Sequence, residues 1–196
     1  MIAALDVFHR LIDQVDEIEA VAARVETEDR EVAAILRRSG FLLAVAALDA
    51  YFHERGIALL HWAALQSHAN AVNVANYLRS VSASDVSGST GDAHIRLRLS
   101  FKTLVSPGSI DTLLTTATLN ADQLWLGVAL EKSSRPDRMK LLLNLLYDRR
   151  NQIAHEADWD PALLNLRPME QVHLSECVAH VRAVVEGMDH QLAPLP

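Results

Sequence analysis

Apolar residues recur at steps of three and four near the start of the chain. Leu5, Phe8, Ile12, Val15, Ile18 and Ala22 share one side, while Asp13, Asp16, Glu17 and Glu19 fall elsewhere. The spacing predicts an amphipathic helix with one face against a core. Thr27 is placed to cap a second helix whose first turn holds Glu28, Asp29 and Glu31, where the helix dipole favours acid. That helix is expected to run past Tyr51. From Phe41 to Ala50 it is apolar on every side, which places it at the centre of a bundle.

Asn70 to Arg79 predicts a further helical segment, and Ser82 to Asp92, rich in serine and glycine, predicts a surface loop. The period then changes. Ile95, Leu97, Leu99 and Phe101 alternate with His94, Arg96, Arg98, Ser100 and Lys102. Alternation suggests a short strand with one basic face, a distorted helix being the competing reading. Ser109 and Asn120 are candidate caps for two short helices, Asn120 having Gln123 three residues on. Ser134, Pro136 and Asp137 open a leucine-rich helix, since proline's missing donor costs nothing in a first turn. Pro161 and Pro168 bracket a loop. Leu174, Val178, Val181, Val185, Met188 and Leu192 then mark a regular terminal helix. The pattern predicts an all-α helical bundle forming a single domain over residues 1–196, with a long central helix and an irregular insertion around 82–108.

Composition supports this: 50% of residues are hydrophobic but only 5% are aromatic, which suits a helical bundle. A formal charge of -7 argues against non-specific coating of nucleic acid, which needs a broad cationic face, but leaves room for a local basic site. Cys177 is the only cysteine, so no intrachain disulfide can form and a reducing, cytoplasmic setting is expected. The N-terminus lacks the basic flank and uninterrupted apolar run of a secretory signal. The most apolar window, 41–48, is far shorter than a bilayer span, so no membrane partner is expected.

The chemistry gathers in Arg150-Asn151-Gln152-Ile153-Ala154-His155, which follows the leucine-rich helix and precedes an acidic, aromatic turn from Glu156 to Pro161. Asn151 and His155, at i and i+4, share a helix face. Arg150 and His155 lie about 140° apart on an ideal helix, so they converge only if the helix bends, ends nearby or meets a second subunit. The residue types suit phosphodiester cleavage. Arginine offers a planar fork to a phosphate, histidine moves a proton near neutral pH, and asparagine can orient either. The plain alternative is a solvated Arg149-Arg150 pair followed by a histidine at a helix C-terminus, where cations are favoured.

Other candidates surround this motif. Asp49 and His53, at i and i+4 on the central helix, are either a supporting wall of an Arg150/His155 cleft or a satisfied structural pair. Arg149 competes with Arg150 for the phosphate role. Arg96, Arg98 and Lys102 could hold RNA phosphates outside the cleft, or could keep an edge strand soluble. His173, Cys177 and His180 have metal-compatible spacing on the last helix, but without a fourth ligand packing is the better reading, and no metal site or cofactor is expected. No glycine-rich phosphate loop, HExxH or GxSxG motif is present.

RRNQIAHEADWDP, reached from LNLLYD, resembles the Arg-x4-6-His signature of the HEPN superfamily, in which a polar residue commonly follows the arginine. LLAVAALDAYFHE resembles the long central helix of its RiboL-PSP-HEPN branch. The resemblance implies a helical bundle that dimerises with both motifs facing one cleft, and a metal-independent endoribonuclease acting as a toxin or defence effector, with RNA as substrate and an antitoxin or inhibitory protein as a possible partner. Arg150 would bind the scissile phosphate, Asn151 would support it and His155 would transfer a proton. Glu156 stands where many relatives have glycine, and places a negative charge beside the site. A non-catalytic HEPN-like module that binds a nucleotide or a protein is the alternative.

Overall fold

The computed structural model describes residues 3–193. Helix α1 (Ala4–Val25) and helix α2 (Arg30–Gln66) form the first pair. They run antiparallel: Arg37 meets Glu26 and Glu19, while three residues further along α2 the side of Gly40 where a Cβ would stand faces Ile18 and Leu174. A Cβ on Gly40 would sit 3.0 Å from Leu174 Cδ2, so the absent side chain is what lets α2 approach the terminal helix closely. The N-cap of α2 is Asp29, whose carboxylate accepts from the amides of Glu31 and Val32. Thr27, expected in that role, lies in the preceding turn.

Helix α2 is the axis of the molecule, as its all-round apolar stretch predicts. Ala44, Ala47, Leu48, Tyr51 and Phe52 are buried on it, against Phe8, Ile12 and Val15 of α1 and the apolar side of the terminal helix. Tyr51 donates a 3.1 Å hydrogen bond to Asp189 across that interface. Arg37 is also fully buried, and its fork reaches both Glu19 and Glu26.

Helix α3 (His68–Leu78) continues from α2 after a break at Ser67, which caps it. The expected irregular segment around 82–108 contains two short helices, α4 (Ala83–Ser87) and α5 (Gly91–Leu99). The strand reading of 94–102 is therefore corrected. Ile95 and Leu99, four apart, are buried, whereas Leu97 and Phe101 are 61% and 75% exposed. The alternation came from two exposed apolar residues interleaved with a true helical stripe. Helix α6 (Pro107–Thr116) is capped by Ser106, with Ser109 as the reciprocal partner of the capping box rather than the cap itself. Asn120 caps helix α7 (Ala121–Glu131) through the amide of Gln123 at 3.1 Å, as expected.

Helix α8 (Pro136–Glu156) begins on its proline without a side-chain cap. A minimal hairpin follows, β1 (Trp159–Asp160) with β2 (Asn165–Leu166), antiparallel with Trp159 opposite Leu166. Helix α9 (Gln171–Leu192) closes the bundle. Among the described residues no helix is long and apolar enough to cross a membrane.

Candidate functional site at the end of α8

Helix α8 is unbroken through the whole motif and stops at Glu156. Ala157 and Asp158 then take left-handed backbone angles, φ 51° and 62°, and the Asp158 amide donates back to Gln152 O at 3.0 Å. Left-handed geometry is unfavourable for an alanine, so something must hold the turn. Asp158 does this. Its carboxylate is completely buried. Arg38 Nε of α2 donates to Oδ2 at 2.7 Å, and Arg149 lies 2.7 Å from Oδ1 and donates to Oδ2 at 3.0 Å. The same two arginines reach backbone carbonyls beyond the hairpin, Arg38 that of Arg167 and Arg149 that of Pro168. A buried charge is tolerated only when paired and hydrogen-bonded, and here the pairing ties α2, α8 and the hairpin together. Burial, opposed by Asp158 and reinforced by Arg167 and Arg38, pulls the Arg149 pKa down. A guanidinium remains charged regardless.

Arg149 is thus committed to the scaffold, and Arg150 is not. Arg150 is half-buried, and its Nη1 donates a 3.0 Å hydrogen bond to Asn151 Oδ1. An arginine side chain is long enough to cross from its own position to the neighbouring one, and this contact draws the guanidinium towards the face that Asn151 shares with His155. His155 is exposed, one turn further along. Glu156 turns aside: it is 57% exposed, with Oε2 3.8 Å from Arg167 Nη1. The negative charge next to His155 is therefore partly balanced by a cation.

The other candidates lie away from this face. Asp49 Oδ1 accepts from the Leu104 amide, and His53 bonds the carbonyls of Asp49 and Leu99. These bonds brace α2 against the end of α5, and none reaches α8. Arg96 pairs with Glu54, Arg98 donates to Arg79 O and lies over Phe101, and Lys102 sits 4.2 Å over the Tyr77 ring. Burial, with Arg79 and Arg98 nearby, lowers the Lys102 pKa. His173 caps α9 by accepting from the Glu170 amide, and His180 Nε2 bonds Met139 O. Cys177 is buried in the core, which pushes its thiol up to about 12. Among the described residues, no three His, Cys, Asp or Glu side chains gather as a metal-holding group.

Two features next to the motif had no signal in the sequence reading. Arg38 and Asp158 are 120 residues apart, so their pairing is invisible to spacing. A groove of about 640 Å³ runs between α8 and α9, with Leu142, Leu145, Leu146 and Ala183 on its walls and Arg149 at its edge.

A family model described as RiboL-PSP-HEPN matches residues 9–193. The chain belongs to the RiboL-PSP-HEPN family, a member of the HEPN superfamily. No curated protein and no solved structure matches it.

Proposed function

We propose that this protein is a metal-independent endoribonuclease, a toxin or defence effector, whose site is composed from two copies of the end of α8. One observation carries the reading: the Arg150 guanidinium is hydrogen-bonded to Asn151 at 3.0 Å on the side of the helix that presents the exposed His155. Arg150 neutralises the scissile phosphate, Asn151 holds the guanidinium in place, and His155 moves a proton. The RNA 2'-hydroxyl attacks phosphorus and loses its proton, while the bond to the 5' oxygen breaks and that oxygen gains one. The products are a 2',3'-cyclic phosphate and a 5'-hydroxyl. Leu141 and Leu145, 58% and 54% exposed on α8, give a second copy an apolar surface to cover next to the motif. An antitoxin or other inhibitory protein would be expected to compete for the same region.

The test is cleavage of single-stranded RNA by purified protein freed of any partner, with chelator present. The wild type should yield cyclic-phosphate ends, and Arg150→Ala and His155→Ala should not. Cleavage that survives His155→Ala sinks the assignment. A second reading, a non-catalytic module that binds a nucleotide or a protein, draws on the leucine-lined groove beside Arg149. It predicts tight binding without turnover, unchanged by His155→Ala.

A further inference from the structure

The hairpin after α8 is built more firmly than a two-residue ladder requires. Arg167 Nη1 donates to Trp159 O at 2.6 Å and lies 3.8 Å from Glu156, and Arg167 Nε is 3.8 Å from Asp160. The Arg167 amide donates to Asp158 O at 2.9 Å. Asp160 Oδ1 accepts from the amides of Ala162 and Leu163, which closes the turn. The hairpin base is in turn fixed by the buried Asp158 carboxylate between Arg38 and Arg149. Residues directly opposite in an antiparallel pair project to the same face. Trp159 and Leu166 therefore share a face, and the two are 44% and 45% exposed. The ladder's other pair, Asp160 with Asn165, is polar.

An indole left half in water has forfeited much of the apolar burial it could gain. This one is held on a rigid support whose anchoring guanidinium nitrogen also faces Glu156, the residue after His155. Bases of single-stranded RNA stack on aromatic rings; Trp159 follows His155 by four residues in the chain, and the Arg167 guanidinium sits on its carbonyl at the hairpin base. The other two tryptophans are differently placed: Trp125 is fully buried and bonded to Asp111, and Trp62 packs at the edge of the core.

We infer that Trp159 is a stacking platform for an RNA base, a positioning residue that seats a nucleotide next to the scissile phosphate held by Arg150. The inference rests on the ribonuclease reading for its substrate, but stacking can be measured without cleavage. Tryptophan emission of the full chain is followed while a non-cleavable 2'-O-methyl oligonucleotide is added. Quenching is expected in the wild type and should be lost in Trp159→Phe. The affinity of that variant, measured by anisotropy of a labelled oligonucleotide, should stay close to wild type because a ring remains. Trp159→Ala should weaken binding about tenfold. On cleavable RNA it should raise KM by a similar factor with kcat changed less than about twofold, which loss of a merely structural residue would not produce.

The outcomes separate. Active wild type with unchanged affinity and KM in Trp159→Ala overturns the platform and leaves the ribonuclease standing. Trp159-dependent quenching without any cleavage upholds the platform and removes the ribonuclease. Conversion of Trp159→Ala from dimer to monomer in sedimentation, with no quenching in the wild type, overturns the platform by assigning the hairpin to a protein interface.

Discussion

Arg149 and Arg150 are consecutive in the chain, yet one guanidinium lies 2.7 Å from the buried Asp158 carboxylate and the other is 3.0 Å from Asn151 Oδ1. Side chains one residue apart leave a helix about 100° apart, and these two have different partners: Arg149 is held in the Asp158 clamp, while Arg150 bonds Asn151. Arg149→Ala is expected to lower unfolding stability by about 2–3 kcal/mol, since Asp158 keeps only Arg38. Arg150→Ala should change stability by less than about 0.5 kcal/mol while lowering RNA cleavage about a hundredfold. Denaturant melts of both variants beside cleavage assays check the division. Equal stability losses in the two would show that it is wrong.

Asp158→Asn separates charge from shape. Asparagine adopts left-handed backbone readily, so the φ of 62° is no obstacle to the replacement. Two guanidiniums would then face a neutral amide in a buried site. A loss of about 3 kcal/mol is expected, read as a lower denaturation midpoint. A midpoint within experimental error of wild type would mean that the clamp is not a stabilising element.

Arg37 links α1 to α2, and its hydrogen bond holds the Glu26 carboxyl below the usual 4.5. A depressed carboxyl pKa contributes stability that is complete above the unfolded value and disappears as pH falls through the folded one. The wild type should therefore lose stability below about pH 4.5 more steeply than Arg37→Met, in which Glu26 keeps only the weaker pull of Arg30. At pH 7 the variant should also be less stable, because the fork that joins Glu19 and Glu26 to α2 is lost, read as a lower denaturation midpoint. Parallel acid profiles in the two proteins would refute the assignment.

Burial lowers the His180 pKa from 6.5, despite the bond from Nε2 to Met139 O that favours the charged form. The unfolded chain binds this proton more readily than the folded one, so stability is complete above pH 6.5 and declines as pH falls through the folded value. Thermal melts between pH 7.5 and 5, pH values chosen to span roughly the ordinary histidine range, should show this decline. In His180→Gln, which can donate to the same carbonyl without titrating, the decline should be smaller.

The long helices were legible because α1, α2, α8 and α9 each repeat their apolar positions over several turns. Even there the boundary residue of α2 was misplaced, since Thr27 and Asp29 are both capping types and only the fold decides between them. Helix α5 was misread because nine residues hold too few turns to reveal that Leu97 and Phe101 face water. Arg150, Asn151 and His155 form a local pattern in the sequence, but the hydrogen bond between the adjacent Arg150 and Asn151 side chains is not something spacing announces. Asp49 and His53 bond the Leu104 amide and the Leu99 carbonyl, partners that spacing on one helix cannot reveal. The Asp158 clamp was beyond reach for the same reason, being a contact between chain segments with no shared period.

That clamp also decides what can open independently. Arg38 belongs to the central helix, so the hairpin cannot lift away without exposing a carboxylate and two guanidiniums that α2 helps to neutralise. The amides of Asp158 and Arg167, although near the surface in a short turn, should exchange their hydrogens with the slow, cooperative rate of the bundle rather than the rapid rate of a loose loop. The end of α8 would then keep its shape for as long as the molecule as a whole stays folded.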